Sequence, residues 1–114
     1  MAHNNLGNLL KNVRKDYDAA ETHYRKSIEH DPKNAYSYTA IGSILKKRKD
    51  YDGAEKMYRK AIELNPESPH AYWHLSRLLQ DHKNDIPGAI KQMEEYVRLG
   101  NDGEQELERL RAKL

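Results

Sequence analysis

DYDAAETHYRKSIEHDP, residues Asp16–Pro32, returns as DYDGAEKMYRKAIELNP, residues Asp50–Pro66, at a constant offset of 34. A weaker third copy, DIPGAIKQMEEYVRLGN, spans Asp85–Asn101 at a further offset of 35. Self-similarity at this period marks stacked supersecondary units that share a core. Each copy follows another helical stretch with its own marker: Leu6-Gly7, Ile41-Gly42 and Leu75-Ser76. Ile41 to Ala54 spans 13 residues, whereas Leu6 to Ala20 and Leu75 to Ala89 each span 14. The extra residue is assigned to the turns of the first and third units, because inside a helix it would rotate the apolar stripe by about 100°. The spacing predicts helices over 2–13, 17–30, 35–48, 51–64, 69–82 and 86–99. Asp16, Asp50 and Asp85 are expected N-caps, and Pro32 and Pro66 stop the second helices. Glu21 with Arg25, and Glu55 with Arg59, form i,i+4 pairs.

This pattern resembles the tetratricopeptide repeat (TPR) family. The second unit carries Tyr38, Ile41-Gly42, Leu45, Ala54, Tyr58, Ala61 and Pro66; the first carries His3, Leu6-Gly7, Leu10, Ala20, Tyr24, Ser27 and Pro32. The third carries Tyr72, Leu75-Ser76, Leu79, Ala89 and Met93, then departs, with Tyr96 in place of the small residue and Asn101 in place of proline. The resemblance implies an all-α solenoid of three helix–turn–helix repeats, roughly 1–34, 35–68 and 69–102. A capping helix over 103–114 completes a single domain of 1–114. The cap presents Leu107, Leu110 and Leu114 on one stripe, and Tyr96 is expected to pack against it.

Composition agrees with a polar helical surface around a modest core. Of 114 residues, 33% are charged, phenylalanine is absent, and Trp73 is the single tryptophan beside eight tyrosines. The net charge of +2 is not the strongly basic balance of a nucleic-acid-binding domain. Without cysteine there is no disulfide, thiolate nucleophile or thiolate metal site. No apolar run is long enough for a membrane span, and no signal peptide is read. The expectation is a cytoplasmic chain, either whole or part of a longer array.

In the family, the first helices of successive repeats line a concave groove. The resemblance places Asn5, Asn8, Lys11 and Asn12 there from the first repeat, Tyr36, Thr39, Ser43, Lys46 and Lys47 from the second, and His70, Trp73, His74, Arg77 and Gln80 from the third. No carboxylate belongs to this set, so the groove is expected to be positive, with Tyr36 and Trp73 as aromatic anchors for an extended acidic peptide. The expected function is a non-catalytic protein-interaction module or scaffold. The clamp that some members use for acidic chaperone tails does not carry over. Only Asn8 matches it; Asn4, Ala40, His70 and His74 occupy the other four positions. An asparagine ladder found in another branch is met at Asn5 and interrupted at Ala40 and His74.

Competing readings are narrower. His70 and His74 have metal-compatible spacing, but no third ligand is evident, so no metal or cofactor is expected. Both are instead expected to titrate near neutrality and to strengthen peptide binding on mild acidification. Lys46 to Lys49, with Lys11, Arg14 and Lys15, make basic helix turns that an RNA-binding alternative would use. No phosphate loop, nucleophile elbow or zinc signature offers a catalytic site. Finally, Leu9 aligns with Ile44 and Leu78 but has no preceding repeat to cover it. Leu9 and Val13 are therefore expected to form an edge for weak self-association, the alternative role being assembly as part of a larger protein.

Overall fold

The computed structural model describes the backbone from Leu6 to Leu114 and side chains from Asp16 onward. Six helices follow one another: α1 (Leu6–His30), α2 (Ala35–Lys47), α3 (Tyr51–Leu64), α4 (Pro69–His82), α5 (Ile86–Arg98) and α6 (Glu104–Arg111). There is no strand among the described residues. The most extensive packing joins α2 to α3 and α4 to α5, and α1, α3 and α5 each pack on the next helix in sequence. The molecule is an all-α solenoid.

The pattern residues do the packing. Ile41, Leu45, Ala54, Tyr58, Leu75, Leu79, Ala89 and Met93 belong to one buried cluster. Gly42 lets α2 approach α3: a Cβ there would lie 2.7 Å from Tyr58 Cε1. Ser76 serves the third repeat differently, donating its hydroxyl to the Ala89 carbonyl at 2.8 Å. Asp50 and Asp85 cap α3 and α5, each accepting from the glycine N–H three residues on at 3.0 Å. The connections Arg48–Asp50 and Lys83–Asp85 are equally long, so the third repeat's extra residue is absorbed at the end of α4, beyond Leu79.

The first repeat departs from expectation. The turn anticipated between residues 13 and 17 is absent, and α1 runs unbroken through it for 25 residues. Asp16 is consequently inside a helix and caps nothing. The local cause is legible: NVRKDYD contains neither glycine nor proline, the residues that most strongly interrupt a helix. The corresponding turns of the other repeats use a left-handed residue, Lys49 at φ 67° and Asn84 at φ 50°.

A periodic ionic joint links neighbouring repeats. Arg48, capping α2, pairs with Asp18 and Glu21 of α1. One repeat later, Lys83 pairs with Asp52 and Glu55 of α3. The expected i,i+4 pairs also form, Arg25 with Glu21 at 2.8 Å and Arg59 with Glu55 at 2.9 Å. The cap holds as expected at Leu107 and Leu110, both buried in the core, and Tyr96 packs against the same cluster. Leu114 does not join them: α6 ends at Arg111 and Leu114 is 75% exposed.

Candidate functional site

Helices α2 and α4 are the two first helices present as separate elements, and they touch. Between them lies a cleft of about 330 Å³. Tyr36, Thr39, Ala40 and Ser43 form its α2 wall and His70 and His74 its α4 wall, with Asn65 and Ser68 at the loop end. A second hollow of about 270 Å³ shares Ser43 and His74 and adds Lys46, Lys47, Trp73 and His82. The two join into a channel along both helices. The 3.6-residue period puts 36, 39, 43 and 46/47 on one face of α2, and 70, 73/74 and 77 on one face of α4.

The floor is built around Tyr58. Its ring is fully buried, its hydroxyl lies 3.0 Å from Ser43 Oγ, and its face stacks on His74 with centroids 5.5 Å apart. Burial raises the Tyr58 phenol's pKa, with the Ser43 hydrogen bond opposing the shift. Burial also lowers the pKa of His74, and Lys46 and His70 push it further down. His74 is therefore neutral near pH 7, and its titration moves to more acidic pH than the sequence suggested. The aromatic rims are open to solvent, Tyr36 at 69% and Trp73 at 39%. Tyr36 stands edge-on to Tyr24 of α1 at 6.0 Å.

Beyond the two hollows, toward α6, the expected groove residues Arg77 and Gln80 are met by carboxylates. Arg77 lies over Trp73 at 5.8 Å but is also near Asp81 at 3.5 Å and Glu106 at 3.6 Å. Gln80 donates to Glu106 at 3.0 Å and accepts from Arg109 at 2.8 Å. The Glu106 carboxyl is held below its usual pKa by its Arg109 hydrogen bond, against burial, with help from Gln80 and Arg77. Positive character is thus concentrated near Lys46 and Lys47, neither of which is in an ion pair among the described residues.

Of the expected groove residues, those from Tyr36 to Arg77 come together on α2 and α4. Asn5 lies outside the described residues. Asn8, Lys11 and Asn12 belong to the unbroken α1, and their side chains, like those of Leu9 and Val13, are outside the description. Because the expected turn is missing, the first repeat supplies no separate inner helix beside α2. Asn65, Ser68, Tyr58 and His82 were not anticipated as lining residues. The inter-repeat offset aligned Tyr24 with Tyr58 but carried no sign that the Tyr58 hydroxyl edge reaches the cleft. Among the described residues no group of three His, Cys, Asp or Glu side chains is placed to hold a metal ion. No described helix is long and apolar enough to cross a membrane.

Comparison with known proteins agrees with this architecture. Tetratricopeptide repeat profiles match residues 2–36 and 35–68. No curated protein sequence matches the chain. A solved structure, described as the first TPR of Spaghetti (RPAP3) bound to HSP90 peptide SRMEEVD, superposes with a TM-score of 0.76 at 24% identity. The match covers 89% of this chain and 82% of that one. Repeat period, helix pairing and profile matches converge: the chain belongs to the tetratricopeptide repeat family.

Proposed function

We propose that this protein is a non-catalytic interaction module whose α2–α4 channel takes an extended, acidic peptide segment. The observation that carries this reading is the channel's composition. The residues lining its two hollows include Lys46, Lys47, His70 and His74 and no carboxylate. Tyr36 and Trp73 offer flat apolar surface at low entropic cost, as binding anchors often do. The similar Spaghetti (RPAP3) domain was solved with a peptide containing two glutamates and an aspartate. Of the acidic-tail clamp positions only Asn8 matches in sequence, so Lys46 and Lys47 take the role of primary cations. Arg77, engaged by Asp81 and Glu106, is secondary.

Fluorescence anisotropy with labelled acidic, neutral and basic peptides at two salt concentrations tests the reading. The acidic peptides bind most tightly, and added salt weakens them as it screens exposed charge. The double change Lys46→Glu and Lys47→Glu abolishes that preference, while Arg77→Glu has a smaller effect. A preference for basic peptides, or salt-sensitive retention of RNA in place of peptide, would overturn it.

A further inference from the structure

Gln92 places an amide where the second repeat has an apolar side chain. It follows Met57 by 35 residues, the offset that relates the third repeat to the second, and Met57 packs against the core. Gln92 is only 7% exposed. Its carboxamide makes no hydrogen bond among the described residues. No described side-chain N or O atom that is sealed from solvent lacks a partner, so this amide reaches solvent through an opening. An amide held in this way costs stability relative to an apolar side chain of similar size.

The opening is a hollow of about 390 Å³ that shares no lining residue with the α2–α4 channel. Helices α3 and α5 do not pack on each other; both pack on α4, and the hollow lies between them. Arg59, Ile62 and Glu63 line it from α3 and Lys91, Gln92 and Glu95 from α5, with the buried Tyr72 of α4 completing it. Its volume is within the range of ligand sites.

We infer that this hollow binds an extended, uncharged peptide segment whose backbone is read by Gln92. A carboxamide offers one acceptor oxygen and two donor hydrogens. An extended residue points its own N–H and C=O to the same side, so the Gln92 amide can bond to both. A helical segment has already used those groups internally. Ile62 and Tyr72 supply apolar surface for an aliphatic side chain next to that backbone amide. The charges disfavour a charged segment. Arg59 and Lys91 are balanced by Glu63 and Glu95. Arg59, Glu63 and Glu95 are also engaged within their own helices, by Glu55 at 2.9 Å, Lys60 at 3.3 Å and Arg98 at 2.9 Å. The hollow and the channel therefore take different segments, and either site stands if the other fails.

Gln92→Met separates binding from folding, because it installs the residue type of Met57. A side chain retained for a ligand gives a more stable fold when replaced in this way, and the melting temperature is expected to rise by a few degrees. The probe is acetyl-Ala-Val-Ala-amide at millimolar concentration, followed by nitrogen–proton correlation NMR of the full chain. The side-chain NH₂ signals of Gln92 shift saturably while the Trp73 indole signal stays in place. Added salt changes the dissociation constant by less than about twofold, since no net charge is screened. Gln92→Met weakens binding by about tenfold or more, and so does a probe whose valine N–H is replaced by an ester oxygen. Equal binding of the amide and ester probes, unchanged affinity in Gln92→Met, or no shift at Gln92 would overturn the inference. A lowered melting temperature or a failure to fold in Gln92→Met would overturn it too, by showing that the amide serves the fold.

Discussion

The first two repeats place the same residues at the same period, yet only the second forms a helical hairpin. Tyr58 is wholly buried, closed in by Gly42, Ala54 and the stacked ring of His74. Tyr24, its counterpart 34 residues earlier, is half-buried and meets Tyr36 edge-on. A repeat motif therefore specifies which surfaces are complementary, while the connecting turn decides whether they meet within one unit. Lys49 enters the left-handed region to turn the second repeat. In the first, the helix continues through Arg14, Lys15 and Asp16.

Substitution at the two tyrosines gives the largest contrast. Tyr58→Ala removes a fully buried aromatic and is expected to cost about 3–5 kcal/mol. Tyr24→Ala costs less than half of this, because less surface is lost. Urea denaturation of both variants measures the difference; equal losses would mean that Tyr24 is as enclosed as Tyr58. At the helix contact itself, Gly42→Ala forces a Cβ into the Tyr58 ring and costs about 1–3 kcal/mol. The same melts resolve it.

The caps give a smaller contrast. Asp50→Ala removes the acceptor of the Gly53 N–H and lowers stability by about 1 kcal/mol. Asp16→Ala, in mid-helix, changes it by only about half of that or less. A matched loss at Asp16 would show that a turn does begin there.

Acidity produces the subtlest separation. The pKa of His74 is lowered in the folded chain, chiefly by burial. The unfolded chain thus binds its proton more readily, and stability falls as pH drops below the ordinary histidine value of about 6.5. Glu21 and Glu106 are lowered by their arginine partners. Their stabilising contribution is present above the ordinary carboxylate range and is lost as pH falls through their folded pKa values. His74→Gln flattens the first phase and leaves the second. Acidic peptides favour protonated His74, so binding strengthens in the same window that loosens the fold. Melting curves between pH 7 and pH 3, with and without peptide, read both.

Much of this architecture was legible before any coordinates. Period, helix faces, caps at Asp50 and Asp85, and the buried roles of Ile41, Tyr58 and Leu75 follow from spacing, because each is set by local geometry or by a neighbour one repeat away. That residues 36 to 47 of α2 and 70 to 74 of α4 would line one cleft follows from the same spacing. What escaped depends on tertiary encounters at longer range. Arg77 meets Glu106 only after α6 packs back on α5, so the loss of positive character at that end had no local signature. His74 takes its lowered pKa from Tyr58's neighbourhood and from Lys46 on another helix. The unbroken α1 was misjudged because the period, strong everywhere else, outweighed a turn segment with no breaking residue.

Trp73, the single tryptophan, stands partly exposed where the channel's two walls meet the α6 end, and its emission reports directly on occupancy. Titration with an acidic peptide, followed by tryptophan fluorescence, tests the central claim that the α2–α4 channel is the binding site. Saturable change is expected, reduced by salt and lost with Lys46→Glu and Lys47→Glu. Saturable peptide binding by anisotropy with Trp73 emission unchanged, and unaffected by those substitutions, would place the site elsewhere and contradict the account.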